Sequence, residues 1–209
     1  MEKLWMSIIY LNFGMVYVPM GLIVEQIEVG GLDDNLSYVV WDSDSNDAVI
    51  VDPCGDFDKI EKVVVAKKVN VLFIVNTHGH SDHVEGNDHF KKKYDAEIVA
   101  HEKSPHKVDI RLVDNDEIEV GFGLITVKYL PGHSEDSMAL VCDDHIIVGD
   151  VVFCKGHGRT DLKGGDEGVL KRSLGKLFRM GDDKIVWPGH NYGGKKTTVG
   201  EIKKEMLGY

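Results

Sequence analysis

The chain has 209 residues, enough for one domain with a substantial core and short for two independent ones. Its 24 basic against 35 acidic side chains leave a net charge of −11, with basic runs no longer than pieces such as Lys91-Lys92-Lys93, so a nucleic-acid partner is not expected. Cys54, Cys142 and Cys154 are odd in number and lack CxxC spacing, which argues against a disulfide framework or a zinc knuckle and fits a cytoplasmic location.

Leu4 to Val24 carries no charge and is long enough to cross a bilayer by count, but Asn12, Gly14, Pro19 and Gly21 interrupt it. Three readings stand, in this order: an ordered extension packed on the domain, a working start near Met20, and a weak membrane anchor. Residues 1–20 are accordingly set apart as an extension and 21–209 as a single domain. Strand-like patterning follows at Ile23–Val29, Leu36–Trp41 and Ala48–Val51, separated by Gly/Asp/Asn/Ser turns, and predicts an antiparallel opening. Phe57–Lys68 has helical spacing at Ile60, Val63 and Val64, and Val71–Val75 is an uninterrupted apolar run of buried-strand length. His83–Tyr94 reads as the next helix. Strands at Leu124–Leu130, Met138–Val141 and His145–Val148, a helix near Glu167–Arg179, a strand at Lys184–Trp187 and a helix near Val199–Met206 complete a pattern of mixed sheets covered by helices.

The chemistry gathers where predicted strands end. Val71–Val75 runs into NTHGHSDH, where His78 and His80 share a face of extended chain and Asp82 and His83 lie at the helix entry. Three later strands run into Pro131-Gly132-His133, Gly149-Asp150 and Pro188-Gly189-His190. One such residue after a strand is ordinarily only a polar loop residue; the ordered set of seven points instead to metal. Seven donors exceed the four of a tetrahedral ion. If Asp150 bridges, His78, His80 and His133 complete one site, and Asp82, His83 and His190 the other. Imidazole and carboxylate suit two zinc ions, with iron or manganese as alternatives.

The HxHxDH motif, the later lone His133, Asp150 and the final His190, in that order, resemble the metallo-β-lactamase superfamily. The loop Gly158-Arg159-Thr160-Asp161, the stretch Gly164-Gly165-Asp166 and the ending WPGHNYGG resemble its glyoxalase II-like hydrolases and the related persulfide dioxygenases. The resemblance implies an αβ/βα four-layer sandwich and the same seven metal ligands. It also implies a small-molecule substrate, a thioester or related acyl compound cleaved by a metal-bridging hydroxide, with Asp82 as ligand and hydrogen-bond acceptor. Glyoxalase II carries a C-terminal helical region that grips glutathione, whereas this sequence ends soon after His190, so glutathione is not the expected thiol. The alternative within the resemblance is a dioxygenase with one iron on His78, His133 and Asp150; Gly86-Asn87 after the motif is closer to the hydrolases. A third alternative is a metal-binding scaffold without catalysis. Arg159 and Asp161 are read as a buried pair bracing their loop or as substrate contacts, and Tyr192 as a ring packed on the loop or a hydrogen-bond donor to substrate.

Overall fold

The computed structural model describes residues 8–11, 14–17 and 21–208. Strands β1 (Ile8–Leu11) and β2 (Gly14–Tyr17) pair antiparallel with each other. The rest of the proposed N-terminal extension lies outside the described residues, and no helix among the described residues is long and apolar enough to cross a membrane.

The first large sheet takes β3 (Leu22–Gly30), β4 (Asn35–Asp42), β5 (Asp47–Val51), β6 (Asn70–Val75), β7 (Glu97–His101) and β8 (Ile110–Leu112) in sequence order. It opens antiparallel, as the turn-punctuated sequence predicts, and continues parallel from β5 to β8. The parallel crossovers carry helices α1 (Phe57–Lys67), α2 (Ser81–Val84) and α3 (Asn87–Tyr94). The second sheet is ordered β14-β13-β12-β11-β10-β9. It comprises β9 (Glu117–Val120), β10 (Gly123–Tyr129), β11 (Met138–Cys142), β12 (His145–Gly149), β13 (Ile185–Pro188) and β14 (Thr197–Thr198). Among the described residues its only parallel pairing joins β12 to β13 across helix α4 (Glu167–Leu177), and α5 (Val199–Leu207) follows β14.

Alternation along the strands sorts side chains into layers. On β4, Leu36, Tyr38 and Val40 point between the two sheets, while Val39 and Trp41 join Ile60, Val64 and Phe90 on the side of α1 and α3. On β12, Ile147 enters the inter-sheet core while Ile146 and Val148 pack with Leu170, Leu174 and Ile202 of α4 and α5. Helices on the outside, two mixed sheets and three apolar interfaces make the expected αβ/βα sandwich.

Helix ends follow local chemistry. Lys68 closes α1 in the left-handed region at φ 57°, Asp166 caps α4 by accepting from the Val169 N–H, and Thr198 with Glu201 forms a capping box on α5. The single helix expected over His83–Tyr94 is instead two. Gly86 divides them, donating its N–H to the Pro53 carbonyl at 2.8 Å, and a Cβ there would stand 2.8 Å from that same oxygen. Strands β7, β8 and β9 were not among the expected elements.

Candidate metal centre

All seven candidate ligands meet at one end of the sandwich. His78 follows β6 after Asn76 and Thr77, and Asn76 fixes the turn by donating to the His83 carbonyl at 3.1 Å and to Asn87 Oδ1 at 3.1 Å. His80 precedes α2, whose first turn supplies Asp82 and His83. From the second sheet come His133 after β10, Asp150 after β12 and His190 after β13. Gly149, at φ 53°, lets β12 finish against β6: a Cβ there would lie 2.2 Å from Thr77 Oγ1.

Two three-residue clusters result, His78/His80/His133 and Asp82/His83/His190, in each of which the donor atoms lie within 4.8 Å of one another. In the first, His80 Nδ1 stands 3.0 Å from His78 Nε2 and 2.9 Å from His133 Nε2. In the second, His83 Nε2 and His190 Nε2 are 3.3 Å apart, with Asp82 Oδ2 at 3.7 and 3.5 Å from them. Asp150 spans both: Oδ1 is 3.4 Å from His83 Nε2, and Oδ2 is 3.6 Å from His133 Nε2 and 3.2 Å from His190 Nε2. A third grouping, Asp52/His78/His83, is also compact, but Asp52 is committed elsewhere.

Whether these residues fit a cation is decided by the far side of each ring. His133 Nδ1 donates to the Arg159 carbonyl at 2.8 Å, His190 Nδ1 to the Asp33 carbonyl at 2.7 Å, and His83 Nδ1 to Asp52 Oδ2 at 3.0 Å. With the proton on Nδ1, each neutral ring turns a lone pair on Nε2 inward. Converging lone pairs repel unless a cation lies among them. Asp150 Oδ1 is moreover buried without a hydrogen-bond partner among the described residues. The donor set therefore fits metal ions.

The electrostatics agree. Burial disfavours charge on His83, but Asp150, Asp52 and Asp82 outweigh it and push the imidazole up to about 9. A proton there answers the same negative field that a metal ion would. Burial likewise opposes charge on Asp150, and His83 leads the positive groups that nevertheless hold it well below the usual carboxylate range. His78, His80 and His133 are pulled down, burial being the largest cause, and remain neutral donors.

Three residues of the site escaped the sequence reading. Asp52 accepts from the Thr77 N–H at 2.7 Å and the Thr77 hydroxyl at 2.6 Å as well as from His83. Asn35 donates through Nδ2 to Asp82 Oδ2 and to the Asp82 carbonyl, both at 3.1 Å, and Asp33 holds His190. All three sit in segments that read as turns; the one available signal was an aspartate directly after the predicted strand Ala48–Val51. One expectation is corrected. Arg159 and Asp161 pair through two hydrogen bonds of 2.7 and 2.8 Å, yet the pair is exposed, not buried, and the brace on His133 comes from the Arg159 carbonyl. The Tyr192 ring stacks on His190 with centroids 5.1 Å apart, and its hydroxyl donates to Asp33 Oδ2.

Comparison with known proteins places this geometry in a family. The family model described as the metallo-β-lactamase superfamily matches residues 30–107 and 102–190. Human mitochondrial persulfide dioxygenase ETHE1 is 28% identical over 81% of this chain and 68% of its own length. Hydroxyacylglutathione hydrolase GloC of Haemophilus influenzae is 30% identical over 87% of this chain and 95% of its own. The crystal structure of ETHE1 from Myxococcus xanthus superposes with a TM-score of 0.81 at 28% identity, covering 88% of this chain and 82% of that one. With its motif residues gathered into two donor clusters and a family match across most of its length, the chain belongs to the metallo-β-lactamase superfamily.

Proposed function

We propose that this protein is a metal-dependent hydrolase that binds two divalent ions, zinc by preference, and cleaves a thioester or related acyl bond in a small-molecule substrate. The observation that carries the reading is that both donor clusters are assembled and that Asp150 reaches into each. His78, His80 and His133 would hold one ion, Asp82, His83 and His190 the other, and Asp150 both. Ions bound there supply Lewis acidity toward an acyl oxygen and bring the pKa of water toward neutrality.

The protein's own groups do the remaining work. The Asp82 side chain is 24% exposed against 10% for Asp150, so it is the carboxylate open to an incoming water. Asn35 fixes its Oδ2, and although burial opposes the charge, His83 and Asn35 keep the carboxylate ionised and able to accept a hydrogen bond from that water. Asp52, the Asp33 carbonyl and the Arg159 carbonyl lock three imidazoles in one orientation, so these three rings are held in place before an ion binds. Cys54 is disfavoured as a nucleophile: it is 1% exposed, and burial leads the causes that push it up to about 12.

The likeness to persulfide dioxygenases supports a second reading, a single iron on His78, His133 and Asp150 serving oxygen chemistry on a persulfide. Metal analysis of protein purified without added metal, with thioester hydrolysis and persulfide-dependent oxygen uptake measured on the same sample, separates the two. About two ions per chain with thioester turnover supports the hydrolase. About one iron with oxygen uptake overturns it, and bound metal with neither activity would mean a scaffold.

A further inference from the structure

The stretch that delivers His190 from the end of β13 is buried through Pro188, Gly189 and His190, so its backbone groups need partners inside the protein. The first sheet supplies most of them. The Leu36 N–H donates to the Gly189 carbonyl at 2.8 Å, the Asn191 N–H donates to the Asp34 carbonyl at 3.1 Å, and His190 Nδ1 donates to the Asp33 carbonyl. These contacts come from the β3–β4 turn and the first residues of β4. The Pro188 carbonyl, where β13 ends, is met from further along β4 by the Tyr38 hydroxyl.

Tyr38 is wholly buried between the sheets, its ring edge-on to Trp187 with centroids 6.2 Å apart. Its partner across the β3–β4 ladder is Gln26, whose Nε2 lies 3.0 Å from the Tyr38 hydroxyl and 2.6 Å from the Lys195 carbonyl. A carbonyl can only accept, so the Lys195 contact identifies that end of the Gln26 side chain as its NH2 group. The amide therefore donates to Tyr38 as well, and the hydroxyl, having accepted that bond, directs its one proton to Pro188. Burial pushes the phenol well above its ordinary value, so it stays a donor. One cross-strand pair thus holds both ends of the stretch 188–195, Tyr38 ahead of His190 and Gln26 beyond it.

We propose that Tyr38 is a positioning residue for His190: by fixing the peptide between Pro188 and Gly189 from the opposite sheet, it sets where the His190 ring meets Asp82 and His83. The next residue leaves little room for error, since a Cβ at Gly189 would stand 2.2 Å from Asp150 Oδ1. Phenylalanine at position 38 would keep the ring but leave a buried carbonyl without this donor, and the freed peptide could turn. The consequence for metal binding rests on the two-ion reading, because His190 is not a ligand in the single-iron alternative. The placing of the ring does not.

The test compares wild type with Tyr38→Phe and Val40→Ala. Val40 is equally buried and follows Tyr38 on the same face of β4, so truncating it loosens the same core while keeping the hydroxyl. The ring signals of His190 are followed by 1H–15N NMR in metal-free protein, and zinc affinity at each step by chelator competition. Tyr38→Phe is expected to shift or broaden the His190 signals, the Nδ1–H bonded to Asp33 among them, and to weaken one of two zinc ions roughly tenfold while sparing the other. Val40→Ala should do neither, even where it lowers stability more. The proposal falls if Tyr38→Phe leaves the His190 signals as in wild type, if it leaves two zinc ions bound as tightly as before, or if Val40→Ala reproduces its effects. Fewer than two ions on wild type would refute the two-ion reading alone, since the His190 signals, read without metal, still decide the role of Tyr38.

Discussion

Asp52 Oδ2 stands 3.0 Å from His83 Nδ1, both side chains wholly buried, while the same carboxylate accepts from the N–H and hydroxyl of Thr77. One aspartate at the end of β5 thereby fixes the first residues after β6 and the ring orientation of a metal-ligand candidate. Asp52→Asn should lower metal affinity roughly 10- to 100-fold, since an amide no longer offers His83 the carboxylate acceptor that fixes its tautomer. Asp52→Ala should also destabilise the metal-free protein by about 1–3 kcal/mol, because Thr77 keeps two buried donors without an acceptor. Chelator competition and denaturant titration read the two effects separately; an Asp52→Ala variant as stable as wild type would refute the second.

Asp150→Ala should abolish binding of two ions together, leaving at most one, and cut turnover by at least about a thousandfold if both ions act on one substrate. Elemental analysis beside thioester kinetics checks this. Retention of both ions at full activity would remove Asp150 from the bridging position.

Gly189 lies between the two sheets' contributions: a Cβ there would come within 2.2 Å of Asp150 Oδ1 and 2.8 Å of His83 Cε1. Gly189→Ala should therefore displace both ligands, costing about 1–3 kcal/mol of stability from overpacking and most of the metal affinity. Thermal denaturation with and without zinc measures both, and the zinc-induced rise in Tm expected for wild type should shrink or vanish.

Arg159→Ala makes the opposite forecast. The guanidinium is exposed and, among the described residues, paired only with its neighbour Asp161, while the group that touches His133 is the backbone carbonyl, which the substitution keeps. Metal affinity and Tm should not change. A marked fall in kcat/KM alone would show that the side chain meets substrate.

Stability should decline in alkali before the lysines titrate. Burial leads the causes that push Cys54 and Cys142 from 9.0 to about 12. Between those values the unfolded chain has released protons that the fold retains, so unfolding becomes easier as pH rises above about 9. Denaturant midpoints from pH 8 to 11 should fall, and Cys142→Ala should make that slope shallower; an unchanged slope would assign it to other groups.

Much of this was legible in the sequence because the responsible patterns are local. β4 has apolar residues on both faces, which is what a strand covered on both sides requires, and the seven ligands follow strands whose apolar runs are plain. β9 carries a legible signal too: Ile118 and Val120 are buried and Glu117 and Glu119 exposed, a clean alternation. β8, three residues long, gives almost no periodic signal. What the sequence could not disclose depends on contacts between distant segments. Gly86 breaks a helix because Pro53 is beside it, and Asp33, Asn35 and Asp52 leave the turn category only when the end of β6 and the approach to His190 are brought against them.

Each donor cluster draws two residues from the segment after β6 and its third from the second sheet: His133 joins His78 and His80, and His190 joins Asp82 and His83. Neither half of the molecule can assemble a complete set alone. An ion that binds only the docked pair of sheets acts as a rivet between them, strengthening their association in proportion to the logarithm of one plus its free concentration over its Kd. Metal uptake then reports completed assembly of the halves, and a chain with one sheet formed and the other still loose would be unable to hoard the ion and stall there.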